Sequence, residues 1–354
     1  MNSEPEKNPK SRNSRFIPFF LILLFAVVIG LVIRHYFTKQ YVIPHQGGLE
    51  VYFSDGDSTN SDISLEKILV LKLNIATEKI DAALYHLDSD PVTDALIKAH
   101  NNGVNVQVMT ENSNVEEEDI QRLLRAGITV RDDGDNEGYM HHKFFIVDGR
   151  YVWTGSYNTT YNGAYKNDNN AVWIDSDPLA ANFTQEFREM FVSQEFGKSS
   201  NPHNPYPQIT LNDGTMIDTY FSPENDTISP LLSEITSAEK SIYFMVFSFT
   251  HNEIGDAMRM RFKDGITVEG VFDEKQISKH SEYEPMKKFG MDVKIDETSG
   301  TMHHKVIIID EETVITGSYN LSKNAEMRNS ENLLIIKGNK EIATAYINEF
   351  NRLK

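Results

Sequence analysis

The chain has 354 residues, 40% of them apolar and 10% aromatic, with a formal charge of −18. This composition excludes a disordered polymer and allows a core large enough for two ordinary domains. Cysteine is absent, which rules out disulfides and thiolate metal sites.

The charge is unevenly placed. Residues 1–39 contain six basic and two acidic side chains, so the rest of the chain carries about −22. Such a body repels nucleic acid and anionic membrane at long range unless a local basic pocket overrides the field. The runs Glu116–Asp119 and Asp132, Asp133 and Asp135 are expected to be solvated surface.

Phe16 to Ile33 is an uncharged run of 18 residues bracketed by Arg15 and Arg34. As a helix it spans ~27 Å, close to the ~30 Å hydrocarbon thickness of a bilayer. Tyr36 and Phe37 suit an interface. The run is too long for a cleaved signal peptide, and no small-residue cleavage site follows it before Arg34. The expectation is a cytoplasmic tail at 1–15, a transmembrane signal-anchor helix at 16–36 and a linker at 37–47. The excess of basic residues before the span puts the catalytic body on the extracytoplasmic side.

Two similar halves follow, at 48–195 and 216–354, joined by a linker at 196–215 that contains Pro202, Pro205 and Pro207. Tyr52-Phe53-Ser54 is echoed by Tyr220-Phe221-Ser222, and Ala82–Tyr85 by Phe244–Phe247. Helical stretches around Asp94–Leu96 and Asp256–Met258 end at Gly103 and Gly265, where glycine readily supplies a left-handed cap. Alternating Val104, Val106 and Val108, and Ile266 and Val268, read as strands. Strand, helix and strand in succession predict parallel pairing with helices on the sheet faces. Each half closes on an amphipathic helix, with Phe183, Phe187, Met190 and Phe191 on one stripe and Ile342, Tyr346 and Phe350 on the other.

The most informative pattern is a duplicated string. His141-His142-Lys143 runs into an apolar strand ending at Asp148, and Gly155-Ser156-Tyr157-Asn158 follows. The same order recurs 162 residues later as His303-His304-Lys305, Asp310 and Gly317-Ser318-Tyr319-Asn320. In His-x-Lys on a strand, histidine and lysine share a face, so His142 and His304 point away and read as structural. A neutral imidazole attacks phosphorus while a protonated one gives its proton to the departing oxygen. Lys143 and Lys305, with donors from Ser156, Asn158, Ser318 and Asn320, would bind the non-bridging oxygens as charge builds up. No metal and no cofactor is called for, because the lysines supply the positive charge. Asp148 and Asp310 complete the candidate catalytic set, read as partners inside each motif rather than as proton carriers.

The motif His-x-Lys-x4-Asp-x6-Gly-Ser-x-Asn, present twice, resembles that of the phospholipase D superfamily of phosphodiesterases. The resemblance implies an α/β fold, a pseudo-twofold pair of phospholipase D-like α/β/α sandwich domains, here preceded by the one transmembrane helix. It also implies an active site on the pseudo-twofold axis and a covalent phosphohistidine. The family carries a further Glu-Asn pair whose carboxylate orients a catalytic histidine. Glu331-Asn332 matches it, whereas Asn169 stands at the corresponding place in the first half, with Asp168 able to substitute only if the loop register shifts. These residues assign Glu331 to His303, making His303 the nucleophile and His141 the proton donor, with Asn169 joining the substrate-binding candidates. The expected substrate is a phospholipid headgroup ester at the membrane. Tyr157, Tyr161, Tyr165, Phe247 and Phe249 are either pocket or core. The alternatives are cleavage of nucleic acid, DNA or RNA, phospholipid synthesis by transphosphatidylation, and a catalytically silent binding module.

Overall fold

Apolar runs too dense for a one-sided strand are stable only at the centre of a sheet covered on both faces. Lys143–Val147 and Lys305–Ile309 are such runs, and every residue of both is buried. They occupy equivalent central places in two sheets. The computed structural model describes residues 42–44, 48–56, 64–197 and 204–354.

From Leu49–Phe53 the first sheet proceeds through Asn170–Asp175, Tyr151–Gly155, Lys143–Val147, Lys79–Leu84, Asn105–Thr110 and Thr129–Asp132. The second repeats that order as Met216–Ser222, Glu331–Lys337, Thr313–Gly317, Lys305–Ile309, Ser241–Val246, Thr267–Phe272 and Asp292–Ile295. Within the two large sheets parallel pairing is confined to the βαβ side, where Lys79–Leu84 runs with Asn105–Thr110 and Ser241–Val246 with Thr267–Phe272. The motif strands pair antiparallel on both sides, because short hairpins rather than helices connect them to their successors. Gln208–Thr210 adds an antiparallel edge strand against Met216–Ser222, so ordered sheet begins inside the segment read as a linker.

Helix starts follow local chemistry. Ser89 caps Asp90–Asn101 and Ser176 caps Asp177–Arg188, each followed by a proline in the first turn. Asn339 caps Lys340–Leu353 through the Ile342 N–H. The two closing helices carry their apolar stripes into a core shared by both halves. Phe183 meets Phe221 of the other half edge-on at 5.1 Å, and Tyr346 meets Phe53 at 5.0 Å. Each fully buried phenylalanine contributes roughly 1.5–3 kcal/mol by leaving water. The halves are thus one body from Ile43 to Lys354, and their mutual docking is what brings the two motifs face to face.

The proposed membrane span at 16–36 lies outside the described residues. Among the described residues no helix is long and apolar enough to cross a membrane.

Candidate active site

The two motif strands begin where the halves meet. His141 donates its backbone N–H to the Ser330 carbonyl at 3.0 Å, and His303 donates its own to the Asp168 carbonyl at 2.8 Å. Each histidine is thereby fixed by the opposite half. Asn167–Asp168 pairs in parallel with Thr301–Met302 in the same sense.

Side chains repeat the exchange. Nδ1 of His141 lies 2.8 Å from Oε2 of Glu331. Nδ1 of His303 lies 2.9 Å from Oδ1 of Asn169 and 3.0 Å from the Ser156 carbonyl. Both neighbours of His303 are acceptors, so its Nδ1 carries the proton and its Nε2 presents the free electron pair. The carboxylate therefore backs His141, not His303 as the sequence suggested. The Glu-Asn pair follows one motif in the chain but is delivered to the other by the docking of the halves.

Period-two alternation places each lysine beside its histidine. Lys143 Nζ donates to the His141 carbonyl at 2.6 Å, and Lys305 Nζ to that of His303 at 2.7 Å. An aromatic ring covers each pair: Tyr85 lies 4.7 Å from the His141 ring and under the Lys143 ammonium, and Phe247 does the same for His303 and Lys305.

Electrostatics show the two motifs sharing one space. Burial pushes the His141 ring down to about 4 against the opposing pull of Glu331, with Lys143 and Lys305 adding to the depression. Burial also holds His303 well below the usual histidine range, aided by Lys305, Lys143 and His141. Lys143 is lowered to about 7 by burial, offset in part by Glu331, and Lys305 falls well below its ordinary value through burial and the Lys143 charge. Glu331 feels burial upward, yet His141, Lys143 and Ser318 together leave it below the usual carboxyl value. Four nitrogen bases are therefore crowded into a dry site with one carboxylate. Such a site favours an anion that restores their protons.

A family model described as "Cardiolipin synthase, PLD-like domain" matches residues 69–191 and 231–354, more than half of the chain. The chain belongs to the phospholipase D superfamily. It is a phosphodiesterase-type hydrolase of that superfamily, similar to the phospholipase D of Rickettsia prowazekii, with 32% identity over 171 residues that cover 48% of this chain and 82% of the relative. A mitochondrial cardiolipin hydrolase of Chlamydomonas reinhardtii is 33% identical over 121 residues, covering 34% of this chain and 54% of that protein. The phosphatidylserine synthase of Haemophilus influenzae shares the fold, with a TM-score of 0.66, 12% identity and coverage of 88% of this chain and 87% of the other.

Within this phospholipase D-like site, several candidates fall elsewhere than expected. Asp148 and Asp310 sit at the far ends of their strands, at left-handed turns with φ of 52° and 54°. Each lies five positions along the extended strand from its lysine, about 16 Å. There Asp148 accepts N–H bonds from Thr77, Glu78 and Lys79 at 2.9 Å, and Asp310 accepts those of Glu239, Lys240 and Ser241. They belong to the sheet's structure and not to the catalytic set. Ser156 and Ser318 are fully buried. Ser156 donates to Asn169 Oδ1 at 2.9 Å and Ser318 bonds Glu331, so both hold the residues that hold the rings instead of reaching substrate. Asn169, also fully buried, is likewise a support for His303 and not a substrate ligand. Asp168 turns its carboxylate to Arg352 and Thr298, away from His303.

Asn158 and Asn320 differ from the two serines in remaining partly exposed, so that their Nδ2 groups are the candidate donors to a phosphate oxygen. Each is partly exposed, and the buried Oδ1 of each accepts no hydrogen bond among the described residues. His142 and His304 are buried between the halves, bonded to Asn332 and Asn170 and to Glu186 and Glu349 of the closing helices. Tyr157 and Phe249 are core, while Tyr161 and Tyr165 line a cavity of about 960 Å³ with Glu66, Ser89 and Asp119. Tyr85 was not singled out as a site residue. Its only signal was alignment with Phe247, the ring one residue past the matching strand.

Proposed function

We propose that the chain hydrolyses phospholipid headgroup esters at a bilayer through a phosphohistidine on His141. The observation that carries the assignment is the Glu331–His141 bond. An imidazole that attacks phosphorus becomes cationic, and a buried carboxylate at 2.8 Å from Nδ1 stabilises that charge. Nε2 of His141 forms the P–N bond as the P–O bond to the leaving alcohol breaks. His303, protonated at both nitrogens once the anionic phosphate is bound, gives its Nε2 proton to that oxygen. His303 then removes a proton from water, the resulting hydroxide attacks phosphorus, and the P–N bond breaks to regenerate His141. Lys143, Lys305, Asn158 and Asn320 bind the non-bridging oxygens throughout.

Phospholipid as substrate is supported by the names of the relatives and by the apolar run at 16–33 of the sequence. The test is to incubate the full chain, with chelator, with phosphatidylcholine vesicles, cardiolipin vesicles and single-stranded DNA in parallel. Release of alcohol from a lipid with the DNA intact supports the reading, and cleavage of DNA alone overturns it.

A further inference from the structure

Gly138 and Gly300 stand 162 residues apart, each three residues before a motif histidine. A Cβ on Gly138 would lie 1.9 Å from the carbonyl oxygen and 2.5 Å from the carbonyl carbon of Arg328. A Cβ on Gly300 would lie 1.7 Å and 2.9 Å from the same atoms of Lys166. Arg328 and Lys166 are also 162 residues apart, and they stand three residues before Glu331 and Asn169. The obstructing atoms are main chain, so no side chain can rotate out of the way. Neither glycine has a positive φ, and the demand at both positions is for space alone.

These two contacts open the short stretches of pairing that lead into the site. Beyond Gly138, Ser330 donates its N–H to the Tyr139 carbonyl at 2.8 Å and His141 donates its own to the Ser330 carbonyl at 3.0 Å. Beyond Gly300, Asp168 pairs with Met302 and accepts the His303 N–H at 2.8 Å. On both strands of each crossing, three residues separate the glycine contact from the imidazole and from its partner.

We infer that Gly138 and Gly300 are positioning residues, each setting the register that aims one imidazole at its partner and its Nε2 at the shared phosphorus. Gly138 acts through His141 and Glu331, and Gly300 through His303 and Asn169. An added methyl parts the strands by an ångström or more, a displacement that costs about 10²-fold when it misaligns a reacting group. The readout below rests on the proposed roles of the two histidines.

Full-length Gly138→Ala and Gly300→Ala are compared on two phosphodiesters, one with an alkyl leaving group and one releasing 4-nitrophenoxide, which departs without a proton. Gly138→Ala is expected to lower kcat/KM, which reports the step that expels the leaving group, about 10²-fold on both, because attack itself is misaimed. Gly300→Ala is expected to lower kcat/KM about 10²-fold on the alkyl ester and only a few-fold on the nitrophenyl ester, while its kcat falls on both because His303 also serves the hydrolysis of the phosphoenzyme; both variants melt a few degrees lower than the parent. The reverse pattern keeps the positioning role and overturns the assignment of nucleophile and acid. Equal losses of kcat/KM on both esters by both variants, or kcat/KM within threefold of the parent, overturn the positioning role. Should either variant fail to fold, Asn329→Ala, which on the His141 side removes the acceptor of the Tyr139 N–H at 3.2 Å and a donor to Glu331 at 3.3 Å, and Lys275→Met, which removes the donor to the Gly300 carbonyl at 2.8 Å, carry the same comparison of kcat/KM with losses of about tenfold.

Discussion

The two motif histidines differ in what lies behind Nδ1, and that difference separates their chemistry. His141 has a buried carboxylate behind it, whereas His303 has an amide and a backbone carbonyl at the same distance. An amide oxygen fixes a tautomer without neutralising an imidazolium, so His141 is suited to becoming a cation on phosphorus. His303, held well below the usual histidine range by burial with the lysines adding to it and no carboxylate opposing them, is suited to releasing a proton once it has one. The repeated motif places two alike histidines in one site, and the exchange of Glu331 for Asn169 behind them makes them unequal.

Breaking the stronger side should have the largest effect. Glu331→Gln keeps the hydrogen bond to His141 and removes the charge, with an expected loss of about 100-fold in kcat and a smaller change in KM, read by steady-state kinetics. Loss of less than threefold contradicts the carboxylate's role. Next in size, Asn169→Asp makes the weaker side resemble the stronger. A carboxylate there raises the His303 pKa, so the alkaline limb of the rate profile should move to higher pH by about one unit, with maximal rate changed less than about tenfold. A limb that stays put or moves down counts against His303 as the acid.

Asp148→Asn and Asp310→Asn test the contrast between the motif's two ends. Each removes charge-assisted bonds to successive backbone N–H groups, with an expected cost of about 1–3 kcal/mol in unfolding free energy. Both carboxyls lie below their ordinary value, burial being outweighed by those backbone bonds. Their stabilisation is therefore present at neutral pH and is lost as pH falls through the folded pKa. Activity per folded molecule should be unchanged, and a kcat defect in fully folded protein would return them to the catalytic set.

The smallest effect concerns the other pair of histidines. Beneath His304, Glu349 is drawn below its ordinary value despite burial by Arg352 and His304. Beneath His142, burial raises Glu186 to about 8, helped by the charge of Glu189. A carboxyl raised from 4.5 to about 8 gives stability that is present at low pH and lost as pH rises through that window. Glu186→Gln should flatten the fall in melting temperature between about pH 4.5 and 8, and a fall that stays as steep contradicts the raised carboxyl.

Much of this was legible in the chain because strand period and motif spacing are local. The buried runs after Lys143 and Lys305, the glycine caps at Gly103 and Gly265 and the aromatic stripes of the closing helices all lie where the pattern puts them. What the sequence could not reveal was the exchange between halves. Glu331 is 28 residues from His303 and 190 from His141, yet docking delivers it to the more distant ring. Ser156 and Ser318 have the chemistry of substrate donors, and only their complete burial shows that they face Asn169 and Glu331. The far position of Asp148 follows from strand rise alone and was open to the sequence.

The most direct test is to quench the enzyme during turnover of a labelled phosphodiester under conditions that preserve phosphohistidine, and to map the label by peptide mass spectrometry. The label is expected on His141, retained in His303→Asn when the leaving group needs no proton and absent in His141→Asn. Label on His303 with none on His141 would contradict the account.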